Sequence, residues 1–218
     1  MKKTALIVAG GSGVRFKNKI PKQFTLIENK PILMHTIERF AHLNNIFVVI
    51  AKNHFDKWKD LCELNNFNVK HTLVEGGENR FESVKNGLKY ISNTDIVLIH
   101  DGVRPCVSKK LLSNLIRNLD QGVGVIPVLP LTESIRQIEN NKSISVSRKD
   151  YLSVQTPQCF MYKEIYEAYS QNYINSYTDD ASVFEAFGKK IITVDGENQN
   201  IKITFPADLK IVCDFLKS

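Results

Sequence analysis

The sequence lacks long hydrophobic runs and paired cysteines, and both absences exclude classes of protein. Its longest apolar runs are about six residues, well short of the roughly 20 that a membrane-spanning helix needs. Cys62, Cys106, Cys159 and Cys213 are widely separated and form no C-x-x-C pair. We therefore expect no membrane partner, no zinc site and no disulfide framework.

The first residues also lack a complete signal peptide. Met1-Lys2-Lys3 supplies positive charge, but the apolar stretch that follows stops at Ala9 and gives way to glycine. This stretch is too short for the hydrophobic region of a signal peptide, so we expect a cytoplasmic protein.

Positive charge is in excess, yet it is not concentrated. The 218 residues include 29 Lys and Arg against 23 Asp and Glu, a net charge of +6. There is no run of five basic residues and no ribonucleoprotein motif, so nucleic acid is not an expected partner. Small phosphorylated ligands fit this charge better.

Continuous β-branched runs alternate with helical patterns, which predicts an α/β fold with a parallel sheet and right-handed crossovers. The runs are too continuous for half-exposed strands, so we expect strands that are buried on both faces. The predicted strands are Ala5–Ala9, Ile46–Ala51, Val69–Val74, Ile96–Ile99, Val123–Val128 and Ile191–Val194. The predicted helices are Pro31–Leu43, Phe55–Leu64, Arg80–Ile91, Ser108–Leu119, Lys163–Tyr169, Asp179–Phe187 and Ala207–Leu216.

The segment Leu129–Leu152 departs from this rhythm. It is polar and alternating, which predicts an exposed hairpin with its turn at Asn140–Lys142. No linker or repeat divides the chain, so we expect a single domain, 1–218, with a β-arm at 129–152. A hairpin that projects from an α/β core often packs on another subunit.

Small residues follow the first predicted strand, at the edge where parallel sheets bind ligands. The stretch is Ala-Gly-Gly-Ser-Gly, residues 9–13. The dinucleotide motif G-x-G-x-x-G fails because Phe16 occupies the third glycine position, and no Gly-Lys-Ser/Thr follows for a P-loop. Two interpretations remain: a loop whose backbone N–H groups bind an anion, or a tight turn with no ligand.

Two cations behind this loop are candidates for binding a triphosphate. Arg15 offers a bidentate fork and Lys22 a point charge, and Pro21 fixes the chain directly before Lys22. We expect Lys17 and Lys19 to be solvated surface residues instead.

The fourth strand ends in "IVLIHDGVRPCVS", which places Asp101 and Arg104 just beyond its carboxyl end. A carboxylate there is suited to Mg²⁺, which commonly binds one or two carboxylates together with substrate phosphates. The alternative is a helix-capping aspartate or one paired with Arg104. Farther along, Thr178-Asp179 has the pattern of a helix N-cap, and Lys202 alternates with apolar neighbours as on a strand. Lys202 is then either a surface lysine or a site cation.

Taken together, these motifs resemble the 2-C-methyl-D-erythritol 4-phosphate cytidylyltransferase family over essentially the whole chain. The matching stretches are Ala9–Gly13 with Arg15, Pro21–Gln23, Gly76–Arg80 with Ser83, His100–Pro105, Thr156–Gln158, Thr178–Ser182 and Asn200–Thr204. The resemblance implies a Rossmann-like nucleotidyltransferase fold, with a mostly parallel central sheet and a protruding β-hairpin arm that forms a homodimer. It also implies CTP and a polyol phosphate, 2-C-methyl-D-erythritol 4-phosphate, as substrates and Mg²⁺ as cofactor.

The resemblance also assigns roles to individual residues. It implies that Asp101 binds the metal. The residues that it implies as nucleotide contacts are Ala9, Gly10, Gly11, Ser12, Gly13, Gly77, Glu78, Ser83 and Asp101. The residues that it implies as catalytic are Arg15, Lys22, Arg148 and Lys202, with Arg148 reaching across the dimer. The residues that it implies as substrate contacts are Arg104, Ser134, Thr156, Thr178 and Asp179. The family's Asp-Thr before the arm appears here as Glu133-Ser134, so Thr132 is an alternative to Ser134.

Three other functions stay open at this stage. Ribitol 5-phosphate cytidylyltransferases share the glycine loop, Pro-Lys-Gln and Thr-Pro-Gln, although residues 178–182 favour the methylerythritol substrate. A non-catalytic nucleotide-binding module would be expected to have lost its charged site residues, which are present here. A nicotinamide oxidoreductase is disfavoured by the missing third glycine and by Ala51-Lys52, where an acidic residue would be expected.

Overall fold

One eight-stranded sheet organises the computed structural model, which describes residues 1–10 and 21–217. The strands are β1 (Lys3–Val8), β2 (Leu26–Ile27), β3 (Lys30–Pro31), β4 (Asn45–Ile50), β5 (Thr72–Glu75), β6 (Ile96–Asp101), β7 (Val123–Pro130), β8 (Ile135–Glu139), β9 (Lys142–Val146), β10 (Leu152–Val154), β11 (Gln158–Met161) and β12 (Lys190–Asp195). The helices are α1 (Ile32–Arg39), α2 (Phe55–Leu64), α3 (Arg80–Tyr90), α4 (Lys109–Arg117), α5 (Tyr162–Ala168), α6 (Asp180–Ala186) and α7 (Asp208–Lys217).

The main sheet is mostly parallel. Its order is β10-β7-β11-β6-β1-β4-β5, with β12 pairing to β7. Strand β1 is parallel to β4 and β6, β4 is parallel to β5, and β12 is parallel to β7. The predicted α/β class is confirmed, and the carboxyl ends of β1, β4, β5 and β6 share one edge of the sheet.

Two features of the sheet differ from the sequence-based expectation. Strands β10 and β11 were not predicted, and β11 lies antiparallel between β6 and β7. The prediction of strands buried on both faces was wrong for β5 and β12, which carry several exposed residues. Both lie at or near the margin of the sheet, where helices cover them incompletely.

The helices lie close to their predicted positions. The range Phe55–Leu64 agrees with α2, and Ser108 caps α4 by accepting a hydrogen bond from the Leu111 N–H at 3.0 Å. Helix α1 ends at Arg39, four residues earlier than predicted, because the chain turns at Phe40 to enter β4. Within residues 1–10 and 21–217, we find no helix with the length and apolarity that crossing a bilayer requires.

The hairpin forms where the polar alternation predicted it. Strands β8 and β9 pair antiparallel, and the two-residue turn places Asn140 and Asn141 at φ of 48° and 61°. Asparagine tolerates this left-handed conformation, which suits tight hairpin turns. The arm extends from the sheet with nearly all its side chains exposed.

Helices cover both faces of the sheet, so its central strands are buried on each side. Along β1, Ala5 and Ile7 belong to one apolar cluster with Leu33 and Leu111. Leu6 points to the opposite face, where another cluster contains Val84 and other residues of α3, α5 and α6. The resulting rigid sheet holds its carboxyl edge in place for the residues described next.

Candidate active site

The loops that follow β1, β4, β5 and β6 meet at the carboxyl edge of the sheet. Backbone hydrogen bonds extend past the strand ends, from Gly102 N to Val8 O at 2.9 Å and from Ala9 N to Val49 O at 2.8 Å. A Cβ on Gly102 would lie 2.7 Å from the Cβ of Ala9, so only glycine permits this approach. The start of the glycine loop therefore lies directly against Gly102, the residue that follows Asp101 at the end of β6.

Asp101 lies at the centre of a group of cations. Its Oδ2 is 3.0 Å from Lys202 Nζ and 3.2 Å from Arg104 Nε, and its Oδ1 is 3.9 Å from Arg80 Nε. Burial alone would raise the pKa of Asp101, but Lys202, Arg80 and Arg104 outweigh it and hold that pKa well below its usual range. The carboxyl group is therefore ionised and binds the cations together.

Arg104 and Asn200 hold Lys202 beside Asp101. Arg104 Nη1 donates to Asn200 O at 2.8 Å, and Asn200 Nδ2 donates to Thr156 O at 2.8 Å. Ile203 N donates to Val103 O at 3.0 Å. Residues 201–204 form no strand, in contrast to the expectation for Lys202, although Ile203 is buried and Lys202 exposed. The chain is fixed there by side chains and by the backbone bond from Ile203 to Val103.

His100 and Thr156 position the backbone of Asp101. The Asp101 N–H donates to Thr156 Oγ1 at 3.0 Å, and His100 Nδ1 lies 3.0 Å from the same oxygen. His100 Nε2 lies 3.0 Å from the carbonyl oxygen of Arg104, which can only accept. The network therefore assigns the proton to Nε2 and leaves Nδ1 to accept from the Thr156 hydroxyl.

We expect the stability of the protein to fall as the pH is lowered because of His100. Burial lowers the pKa of His100 from 6.5 to about 4, while its hydrogen bonds oppose that shift. As the pH falls, His100 therefore binds a proton in the unfolded chain before it does so in the folded chain. The free energy of unfolding decreases between pH 6.5 and 4. The expected loss is about 3 kcal/mol. Urea unfolding at pH 7 and pH 4.5 measures it, and a pH dependence unchanged in His100→Gln would contradict this assignment.

The loop that follows β5 meets the glycine loop. Gly77 N donates to Ser83 Oγ at 3.0 Å, and a Cβ on Gly10 would lie 3.4 Å from that same oxygen. A Cβ on Gly77 would lie 2.4 Å from the Cβ of Glu82. Ser83 is buried between the two loops, whereas Glu78 is exposed.

The turn that carries Lys22 is anchored by the side chains of the two residues that follow it. Gln23 Nε2 donates to Ala9 O at 2.8 Å. Phe24 stacks on Trp58 with ring centroids 6.0 Å apart. Because Lys22 lies between Pro21 and these anchors, its backbone is held beside the glycine loop.

The turn at residues 178–182 opens helix α6 with a capping box. Asp179 accepts from the Ser182 N–H at 2.9 Å, and the Ser182 hydroxyl accepts from the Asp179 N–H at 3.2 Å. Gln158 Nε2 donates to Asp179 Oδ2 at 2.7 Å, which fastens the turn to β11. The predicted N-cap at Asp179 is confirmed, and Thr178 is exposed beside it.

The sequence profile of the 2-C-methyl-D-erythritol 4-phosphate cytidylyltransferase family matches residues 4–218. A protein of that name from Bacteroides fragilis is 44% identical over 219 residues, which cover 99% of this chain and 100% of the relative. The chain belongs to this family. A Clostridium botulinum protein of the same name is 39% identical, over 95% of this chain and 96% of its own.

Solved structures agree with the family assignment. The Francisella tularensis 2-C-methyl-D-erythritol 4-phosphate cytidylyltransferase matches with a TM-score of 0.82 and 31% identity, covering 99% of this chain and 100% of that one. The 4-diphosphocytidyl-2C-methyl-D-erythritol synthase of Anaerococcus prevotii matches with a TM-score of 0.82 and 29% identity, covering 100% and 99%.

Among the predicted site residues of this cytidylyltransferase-family chain that the structure describes, eight lie together at the carboxyl edge of the sheet. The contacts above join Ala9, Gly10, Gly77, Ser83, Asp101, Arg104, Thr156 and Lys202. Gly11, Ser12, Gly13 and Arg15 lie outside the described residues, as do Phe16, Lys17 and Lys19. Ser134 and Arg148 lie in the exposed arm, where an Arg148 guanidinium nitrogen donates to the Thr132 carbonyl.

Sequence reasoning assigned no role to four residues that shape this cytidylyltransferase-family site, although each lies in a stretch that matches the family: Arg80, His100, Asp180 and Asn200. Arg80 begins α3 directly after the loop that follows β5. A cation next to such a loop could have been recognised from the sequence as a candidate site residue. The buried contacts of the other three depend on tertiary packing, which no local pattern reveals.

Proposed function

We propose that the protein transfers a cytidylyl group from CTP to 2-C-methyl-D-erythritol 4-phosphate and releases pyrophosphate. The observation that supports this most strongly is the group of three cations around Asp101, at the meeting of the loops at 9–10 and 76–83. Such a site can attract two phosphorylated molecules to one place. Family membership supports the same reaction in non-mevalonate isoprenoid synthesis.

In the proposed reaction, a phosphate oxygen of the polyol substrate attacks the α-phosphorus of CTP in line. A new P–O bond forms, the bond from the α-phosphorus to the bridging oxygen breaks, and pyrophosphate leaves with that electron pair. The protein needs no nucleophile, because positioning and charge neutralisation supply most of the catalysis. Arg15 and Lys22 neutralise the triphosphate, and Lys202 lies between the two reacting phosphates.

Asp101 fits the role of the single protein ligand to Mg²⁺. Its carboxyl group is ionised, and Oδ1 lies beyond hydrogen-bond distance of Arg80 Nε, at 3.9 Å. Within residues 1–10 and 21–217, no three acidic, histidine or cysteine side chains are grouped closely enough to hold a metal by themselves. We propose that the cation arrives with the nucleotide, since Mg²⁺ binds phosphate oxygens and few carboxylates. Bound there, Mg²⁺ would supply further neutralisation of phosphate charge.

The remaining substrate contacts are divided between two regions. We assign Glu78 and the Gly77 backbone to the cytidine, and Arg104, Thr178 and Asp179 to the polyol phosphate. The Thr156 hydroxyl is engaged with His100 and the Asp101 N–H, so it serves the substrate by holding Asp101 in place.

We also propose a homodimer formed through the arm. Ile138, Ile144 and Leu152 are 70%, 48% and 50% exposed, and a partner subunit would cover such apolar side chains. In that dimer, Arg148 reaches the substrate of the partner subunit, and Ser134 or Thr132 contacts the substrate phosphate. We place the enzyme in the cytoplasm, where its nucleotide substrate is available.

Pyrophosphate release tests the proposed function. The purified protein is incubated with CTP and Mg²⁺ alone, with 2-C-methyl-D-erythritol 4-phosphate, and with ribitol 5-phosphate. Release only with the methylerythritol substrate is expected. Release only with ribitol 5-phosphate would overturn the assignment of residues 178–182, and release with neither would favour a non-catalytic module.

A further inference from the structure

Arg80 and Asp180 form a partly buried ion pair that joins two segments far apart in the sequence. Arg80 Nη1 and Nη2 donate to the two carboxylate oxygens of Asp180 at 2.8 and 2.6 Å. Tyr169 donates its hydroxyl to Asp180 Oδ1 at 2.6 Å, and Asp180 is 0% exposed. A bidentate pair of this kind fixes orientation as well as distance.

Each partner of the pair opens a helix at the candidate active site. Arg80 is the first residue of α3, directly after the nucleotide loop at 76–79. Asp180 is the first residue of α6, directly after the proposed substrate turn at Thr178-Asp179. Arg80 also reaches toward Asp101, with Nε 3.9 Å from Oδ1. One guanidinium therefore links the nucleotide loop, the substrate turn and the central carboxylate.

We propose that Arg80, oriented by Asp180 and Tyr169, is a positioning residue that couples nucleotide binding to the order of the substrate turn. The proposal rests on the proposed function, because it requires CTP to bind the loop at 76–83. CTP that orders this loop fixes the start of α3, and the ion pair carries that order to α6. The two substrates then bind more tightly together than separately, as any such coupling requires.

The charges around the pair explain why arginine suits this position. The pKa of Arg80 is raised well above its usual value: burial alone would lower it, but Asp180 and Asp101 more than compensate. Lysine would keep the charge but could not bind both Asp180 oxygens while pointing toward Asp101. Gln158 still holds the turn in an Arg80→Lys variant, since its amide donates to Asp179 and accepts from the Ala181 N–H at 2.8 Å. Arg80→Lys therefore weakens the coupling without releasing the turn.

Hydrogen exchange with and without CTP and Mg²⁺ tests this coupling, and it does not depend on turnover. In the wild-type protein, CTP is expected to slow exchange about five- to tenfold at residues 179–183 as well as at 76–83. In Arg80→Lys, the effect at 76–83 should remain and the effect at 179–183 should disappear. Tyr169→Phe, which removes one hydroxyl, should reduce the effect at 179–183 part of the way. Lys89→Gln, at an exposed position near the end of α3, is the matched control.

The outcomes separate this inference from the proposed function. If CTP changes exchange at 76–83 but not at 179–183 in the wild type, the coupling is wrong and nucleotide binding stands. If CTP changes exchange at neither segment, the proposed nucleotide site is wrong and the coupling falls with it. Equal protection at 179–183 in the wild type and Arg80→Lys would also overturn the coupling. If Arg80→Lys does not fold, full protection at 179–183 in Tyr169→Phe overturns it instead.

Discussion

Asp101→Asn is expected to lower kcat/KM for pyrophosphate release by about 100- to 1000-fold. The Asp101 carboxylate holds Lys202 Nζ and Arg104 Nε within 3.2 Å, and Arg80 Nε lies at 3.9 Å from its other oxygen. Asparagine has nearly the same shape and no charge, so these cations would repel one another and lose their shared partner. Initial rates over a range of both substrates would show the loss mainly in kcat.

The same substitution is expected to lower stability, so folding must be measured alongside activity. Removing one member of a buried ionic network leaves positive charge among the others uncompensated and costs about 3 kcal/mol. Asp95→Asn is the matched control, because Asp95 is exposed directly before β6, at the opposite edge of the sheet. A folded Asp101→Asn enzyme that turns over within threefold of the control would refute a catalytic role for this carboxylate.

The parallel core could be predicted from the sequence because its signal is local. Continuous apolar runs mark β1, β4, β6 and β7, since each is covered on both faces and needs no polar side. Strand β11 escaped prediction because Gln158 and Cys159 lie in a short stretch after Pro157, where no period is visible. Its antiparallel place between β6 and β7 is a property of the whole sheet.

The candidate site could be predicted only in part. Asp101 lies at the carboxyl end of a recognisable buried strand, β6, which extends two residues beyond its predicted end at Ile99, so its position at the ligand edge was evident. The sequence pattern does not distinguish His100 from the other residues of that strand. Its hydrogen bond to Thr156 joins residues 56 apart in the chain, so no local pattern predicts it. The alternative prediction, that Asp101 forms an ion pair with Arg104, also agrees with the structure. Lys202 and Arg80 lie beside the same carboxylate. Pairing and function are therefore compatible at this residue.

Lys22→Gln is expected to lower kcat by about 100-fold or more, with a smaller change in the KM for CTP. The proposed role of Lys22 is to neutralise charge on the departing pyrophosphate, and that charge is greatest in the transition state. Gln23 bonded to Ala9 O and Phe24 stacked on Trp58 hold this turn in place, so the backbone of Lys22 is already positioned when CTP binds. Steady-state rates over a range of CTP concentrations, with the second substrate saturating, would measure both kcat and the KM for CTP.

Lys57→Gln provides the control, because Lys57 Nζ lies 5.7 Å from the ring centroid of Phe24 without any proposed contact to the substrates. Both variants lose one positive charge, so a general electrostatic effect would lower kcat similarly in the two. A normal kcat with a raised KM in Lys22→Gln would instead assign Lys22 to ground-state binding of CTP. Lys22→Arg is expected to restore activity only partly, since the anchored turn cannot move to accommodate the wider guanidinium group.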